Sequence, residues 1–295
     1  MSPENPSLTF DYDRGRSLWQ DAWVRLKSNR LAMIGLVYLV LQTLVAIFAP
    51  WLVTHAYEET DLILGPVAPS PDNWFGTDDL GRDLFTRVVY GSRISLMVGV
   101  LATAVSLVIG VSYGAVSGYV GGRTDQFMMR VIDVMYSLPF IFFVILLMVL
   151  FGRNIYLMFV ALGAIQWLTM ARIVRGQVIS LKNQEFIEAA RAMGVPGHLI
   201  VARHIIPNVL GPVIVFCTLT IPAVILEEAF LSFLGLGVQE PMSSWGTLIS
   251  SGVKGMEEYP WMLFFPCVTL VLALLALNFV GDGLRDALDP RASRN

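Results

Sequence analysis

The 295-residue chain is poor in the residues that do chemistry: 15% charged, three lysines, three histidines and two cysteines. Each shortage removes a class of function. None of Lys27, Lys182 and Lys254 ends a G-x-x-x-x-G-K-[ST] pattern, so the chain shows no phosphate-binding loop of its own. His55, His198 and His204 are scattered along the sequence, and their spacing builds neither a metal cluster nor a catalytic triad. Cys217 and Cys267 lie inside apolar runs and read as small packing residues rather than a disulfide or metal pair. A net charge of −3 offers no electrostatic footprint for nucleic acid. No catalytic residues, bound cofactor or metal are expected.

What the chain has instead is apolar length. It is 55% hydrophobic with mean hydropathy +0.65, well beyond an ordinary soluble domain. Six apolar segments stand out, at 31–53, 94–122, 134–152, 154–171, 205–226 and 259–281. Each reaches about 18 residues, the length a helix needs to cross the hydrocarbon core. Barrel strands would instead alternate over about ten residues. The sequence therefore predicts an all-α membrane protein with six transmembrane helices. With the N-terminus inside, fifteen lysines and arginines fall on inner segments and five on outer ones. That bias places both termini in the cytoplasm. The first apolar run is too long for a signal-peptide core and reads as a retained anchor.

This topology divides the chain into a cytoplasmic tail (1–30), a first span (31–53), a periplasmic segment (54–92), a five-helix core (93–283) and a C-terminal tail (284–295). In the tail, Leu18, Trp19, Ala22, Trp23 and Leu26 recur at helical spacing. They suit either a helix on the inner membrane surface or a continuation of the first span. Pro66, Pro69 and Pro71 make the first part of the periplasmic segment irregular. A helix is expected from Asp79, capped by Thr77 or Asp78. Asp78, Asp79 and Asp83 supply too few alternating oxygens for a calcium loop. The second span carries Gly99, Ala102, Ser106, Gly110, Gly114, Ser117 and Gly118, small residues that let helices approach closely.

The most informative stretch is EAARAMGVPGHLIVARHIIP, residues 188–207, a polar segment between two apolar runs. Asn183 can cap a helix with Glu185 in its first turn, where a negative charge favours the dipole. Phe186, Ala189, Ala190 and Met193 then fall on one face. Gly194, Pro196 and Gly197 end that helix in a turn, and a second helix from His198 leads to Pro207 and the fifth span. The product is a short rigid lever across the end of a bundle. The Ala-x₃-Gly pattern also occurs in helix-turn-helix DNA-binding motifs, which the flanking spans and acidic net charge argue against. Glu227 and Glu228 close the fifth span, about 30 Å from Pro207 along a helix, near the outer face. They read as an outer gate, a substrate contact or a helix lock, or else as a solvated cap. The apolar-then-polar run after them suits an outside surface or re-entrant turn.

The spacing Glu188-Ala189-Ala190, Gly194 and Pro207 resembles the "EAA loop" of ABC-importer permeases. Further stretches extend the resemblance almost end to end: GRSLWQD (15–21), FGTDDLGRD (75–83), RISLMV (93–98), MARIVRGQ (170–177), EFIEAA (185–190), residues 203–211 and 231–241, and GDGLRDALDP (281–290). Together they are similar to the "C" membrane subunit of oligopeptide ABC importers, a type I ABC importer architecture. The resemblance implies that the loop over 180–207, with Glu185, Glu188, Ala189, Ala190, Met193, Gly194 and Pro207, docks and couples an ATPase. The family pattern ends Leu-Pro where this chain has Ile206-Pro207, and typically shows one acid where this chain has Glu227-Glu228. Implied partners are a sister permease, two ATPase subunits carrying the ATP and Mg, an extracytoplasmic peptide-binding protein, peptide and membrane lipid. Dipeptides, glutathione or nickel are the rival substrates within the family. A secondary carrier working alone would call for internal repeats and charged midplane residues, neither of which is evident. A non-transporting scaffold would tolerate change at Gly194.

Overall fold

The computed structural model describes residues 18–53, 55–152 and 154–288. The expected tail over residues 1–17, together with Arg153, Arg291 and Arg294, lies outside them. The described residues form α1 (Leu18–Ser28), α2 (Arg30–Ile47), α3 (Ala49–Leu52), α4 (Leu84–Val120), α5 (Gly122–Ser137) and α6 (Phe140–Phe151). After these come α7 (Ile155–Leu181), α8 (Glu185–Ala192), α9 (Gly197–Ile200), α10 (Ile206–Phe233), α11 (Trp245–Lys254) and α12 (Trp261–Leu288). No strand occurs among them, only one isolated bridge between Thr77 and Asp83.

Five stretches are long and apolar enough to cross a membrane: Arg30–Ile47, Leu84–Val120, Ile155–Leu181, Gly197–Phe233 and Trp261–Leu288. The sixth expected span is not one straight helix, since the axes of the α5 and α6 segments meet at 87°. Leu138, just before Pro139, is extended at φ −84°, ψ 128°. Proline disfavours the helical region for the residue before it and lacks an N–H of its own, so the chain turns there.

α4 and α7 form the centre of the bundle. A Cβ added at Gly110 would sit 2.5 Å from the Met170 Cβ, and one at Gly118 would sit 2.9 Å from the Arg175 carbonyl oxygen. The small residues of the second span therefore bring α4 into direct contact with α7. α2 is peripheral, with Ala32, Gly35 and Ala46 its only buried residues, and it leaves Leu31, Ile34, Val37 and Leu41 exposed. α1 is separate from α2 because Asn29 is extended and its side chain accepts the Ala32 N–H. Ala22 and Leu26 of α1 are buried with Ala32 and Ala287, while Lys27 Nζ lies 5.0 Å above the exposed Trp23 ring. α1 is thus a helix of its own rather than an unbroken extension of α2.

Between α3 and α4 the chain differs from the expected capped helix. α4 starts at Leu84, and Asp83 caps it by accepting the Thr86 N–H at 2.8 Å. Thr77 and Asp78 organise the preceding loop instead. Thr77 Oγ1 accepts the Val67 N–H and donates to the Gly65 carbonyl. Asp78 accepts Arg82 Nε at 2.7 Å and Arg87 Nη1 at 3.2 Å. Two buried guanidiniums thus occupy the carboxylate that sequence alone leaves open to a cap or a cation. Arg82 also donates to Glu240, tying this loop to the segment before α11. That segment ends not in a simple turn but in α11, where Ser244 and Thr247 make a reciprocal capping box and Trp245 is fully buried.

Candidate functional site

The lever is built from three pieces. α7 runs to Leu181, and the next helix, α8, has Gln184 at its N-cap, whose side chain makes no cap hydrogen bond. The cap expected from Asn183 does not form. Glu185 and Glu188 sit in the first turn of α8, where the helix dipole favours negative charge. At the other end, the Gly194 N–H donates to the Arg191 carbonyl at 2.9 Å and the Val195 N–H to the Ala190 carbonyl at 3.1 Å. With Gly194 at φ +78°, this is a Schellman motif, which needs a residue in the left-handed region.

The inward face of α8 is not the stripe read from the sequence. Ile187 and Ala190 are buried, in a cluster with Val174, Val178, Ile200 and Ile205. Phe186 is 43% and Met193 76% exposed. Of the four residues expected on one face, only Ala190 packs inward. Glu185, Phe186, Glu188, Ala189, Met193 and Gly194 share an exposed surface. That surface pairs two carboxylates with an apolar patch, a composition suited to a protein partner. Pro207 is exposed but lies apart from this surface, at the start of α10.

α9, the turn Val201–Ile205 and α10 run on as one 37-residue stretch, Gly197–Phe233. The separate second helix expected from the sequence is therefore continuous with the fifth span. The join is a π turn over Val201–Ile205, and the Ile206 N–H reaches back to the Val201 carbonyl. Pro207 lacks the N–H that would bond the Arg203 carbonyl, and the wider turn accommodates that loss.

Several contributors were not evident in the sequence. Arg191 stacks 5.3 Å from the Tyr119 ring, so the lever also touches the end of α4. Arg175 makes a two-pronged pair with Asp125 at 2.5 and 2.6 Å, and Lys182 donates to the Gly118 carbonyl at 2.9 Å. These contacts join α4, α5 and α7 directly above the lever. The available signal was charge at the edges of apolar runs, which registers in sequence only as topology.

Glu227 and Glu228 lie inside α10, which continues to Phe233, so they do not close the span as expected. Their environments differ. Glu228 is fully buried and accepts Ser232 Oγ at 2.6 Å and Ser95 Oγ at 3.3 Å. Ser95 Oγ also accepts the Trp245 N–H, and Trp245 Nε1 donates to Ser92. This network joins α4, α10 and α11 through polar atoms that are mutually satisfied. Glu227 is half-buried and takes one bond, from Gln166 Nε2 of α7 at 2.9 Å.

Long apolar helices, one bent span and an exposed lever at one end define a multi-pass helical membrane protein with a surface for a partner. The description "binding-protein-dependent transport system inner membrane component" matches residues 106–294, and "N-terminal TM domain of oligopeptide transport permease C" matches residues 17–66. The chain belongs to the binding-protein-dependent transport system inner membrane component family. It is 55% identical over 279 residues to the oligopeptide transport system permease protein OppC of Haemophilus influenzae, covering 94% of this chain and 90% of the relative. The Escherichia coli K12 protein of the same name is 56% identical, with coverages of 94% and 92%. The dipeptide transport system permease protein DppC of Bacillus subtilis is 47% identical, with coverages of 99% and 89%. A chain of the MetNI methionine ABC transporter shares the fold, with a TM-score of 0.57 and 20% identity over 68% of this chain and 96% of that one. The protein is a multi-pass inner-membrane translocation subunit.

Proposed function

We propose that this chain is one membrane-spanning half of an ATP-driven importer of oligopeptides. It works beside a sister permease, with two ATPase subunits at the lever and an extracytoplasmic peptide-binding protein at the opposite end. The lever and both termini then face the cytoplasm, as the lysine and arginine bias requires. One observation carries the reading: α8 is locked onto the bundle by Ile187 and Ala190 while Glu185, Phe186, Glu188 and Met193 stay exposed. A partner that grips this face moves α7 and α10 with it. ATP binding and hydrolysis on the partner bias the spans between two states by unequal affinity for them. The relatives named for oligopeptide transport support that substrate class over dipeptides.

The test is uptake of a labelled pentapeptide by proteoliposomes containing the four membrane and ATPase subunits, with peptide-loaded binding protein. Uptake is expected to need ATP, and the pair Phe186→Asp and Met193→Asp is expected to release the ATPases from a still-folded membrane subunit. Uptake driven by an ion gradient without the ATPases would overturn the reading in favour of a secondary carrier.

A further inference from the structure

Glu227 is left incomplete by the fold. Its Oε1 accepts Gln166 Nε2 at 2.9 Å, whereas Oε2 is shielded from solvent and has no hydrogen-bond partner. The adjacent acid has both oxygens engaged, one by Ser232 and one by Ser95. On α10, Ala223, Leu226 and Phe230 flank Glu227 at i−4, i−1 and i+3 and are exposed. Glu227 stands beside this apolar strip on α10. An acid at such a position faces a partner or a protein-lined path rather than hydrocarbon, because lipid offers no donor. Gln166 ties Oε1 across α7 and α10, so the shielded Oε2 becomes reachable only when the spans part around the peptide.

Resting on the importer reading, we propose that the Glu227–Gln166 pair is a substrate contact that receives the cationic amino terminus of the peptide in transit. An ammonium group carries three N–H donors and a positive charge, which supplies what Oε2 lacks. A metal ion does not fit, since hard cations need several oxygen ligands and no group of three or more His, Cys, Asp or Glu side chains suited to one exists among the described residues. Position agrees: Glu227 lies about 9 Å from the Phe233 end of α10 and about 30 Å from Pro207. The pair is therefore near the mouth that takes peptide from the binding protein, far from the ATPases. Glu228 is the structural neighbour that keeps this part of α10 seated against α4 and α11.

The test uses the complete reconstituted complex and compares one pentapeptide with a free or an acetylated amino terminus, at equal occupancy of the binding protein. The readout is peptide taken up per ATP hydrolysed. Glu227→Gln is expected to lower this ratio at least tenfold for the free-amine peptide and to leave the acetylated one unchanged, with Glu227→Asp in between. Equal ratios in wild type and Glu227→Gln would overturn the contact. So would an equal fall for both peptides or loss of assembly, either of which assigns Glu227 to packing against the sister subunit. A wild-type complex without ATP-dependent uptake would instead sink the importer reading, and the contact with it.

Discussion

Replacing Gly194 by alanine isolates a single physical effect. The residue sits at φ +78°, and a Cβ added there meets no atom within 4 Å. Steric crowding therefore contributes nothing, and the cost is that of holding an L-residue in the left-handed region, roughly 1–2 kcal/mol. A change of that size alters a local equilibrium by a factor of about 5–30. The turn it weakens carries the bonds at 2.9 and 3.1 Å to Arg191 and Ala190, so the fraying is confined to the end of α8. Ile187 and Ala190 keep the rest of the helix in place, and the subunit should still assemble. Hydrogen exchange at the Gly194 and Val195 amides is expected to accelerate by that factor in Gly194→Ala. Stimulation of ATP hydrolysis by loaded binding protein should fall with it. Gly194→Asn should lie near wild type, because asparagine tolerates the left-handed region. Unchanged exchange in Gly194→Ala, or equal impairment by alanine and asparagine, would refute the argument.

Four further outcomes follow from packing and charge. Asp78→Ala leaves Arg82 and Arg87, whose side chains are 10% and 4% exposed, with the largely exposed Glu240 as their remaining counter-charge; a loss of about 3 kcal/mol, the low end for breaking a buried pair, should appear as a large drop in the detergent melting temperature. Glu240→Ala removes a carboxylate whose side chain is 64% exposed and should cost under about 1 kcal/mol, so equal melting temperatures for the two variants would contradict the cluster's geometry. Ile187→Ala opens a cavity beneath α8 worth about 2–5 kcal/mol, and proteolysis is expected to cut first between α7 and α9. Gly110→Leu drives a side chain into Met170 across the α4–α7 contact, and the overpacking cost of about 1–3 kcal/mol or more should show as a lower melting temperature and reduced membrane yield.

Much of this protein is legible without coordinates, because the bilayer imposes rules that act on local sequence. A helix must hold about 20 apolar residues to span it, so the runs that mark α2, α4, α7, α10 and α12 declare themselves. Gly194 and Pro207 likewise act through their own backbone chemistry, a positive φ in one case and a missing N–H in the other. Their positions mark the end of α8 and the start of α10 before any packing is known. Side-chain partnership is different, since it depends on what another helix brings to the same place. α8 offers two apolar stripes, and only its seat on α7, α9 and α10 turned Ile187 and Ala190 inward and left Phe186 and Met193 out. Thr77 and Asp78 have the chemistry of caps, yet arginines four and nine residues beyond Asp78 drew it into a buried ion cluster and moved the helix start to Leu84. Glu227 and Glu228 are identical neighbours in the chain, pointed about 100° apart on a helix. That rotation set one between serines of α4 and α10 and the other beside a single glutamine of α7. Periodicity and backbone limits are properties of a segment, and sequence suffices to read them; which polar group finishes its hydrogen bonds is a property of the assembled bundle.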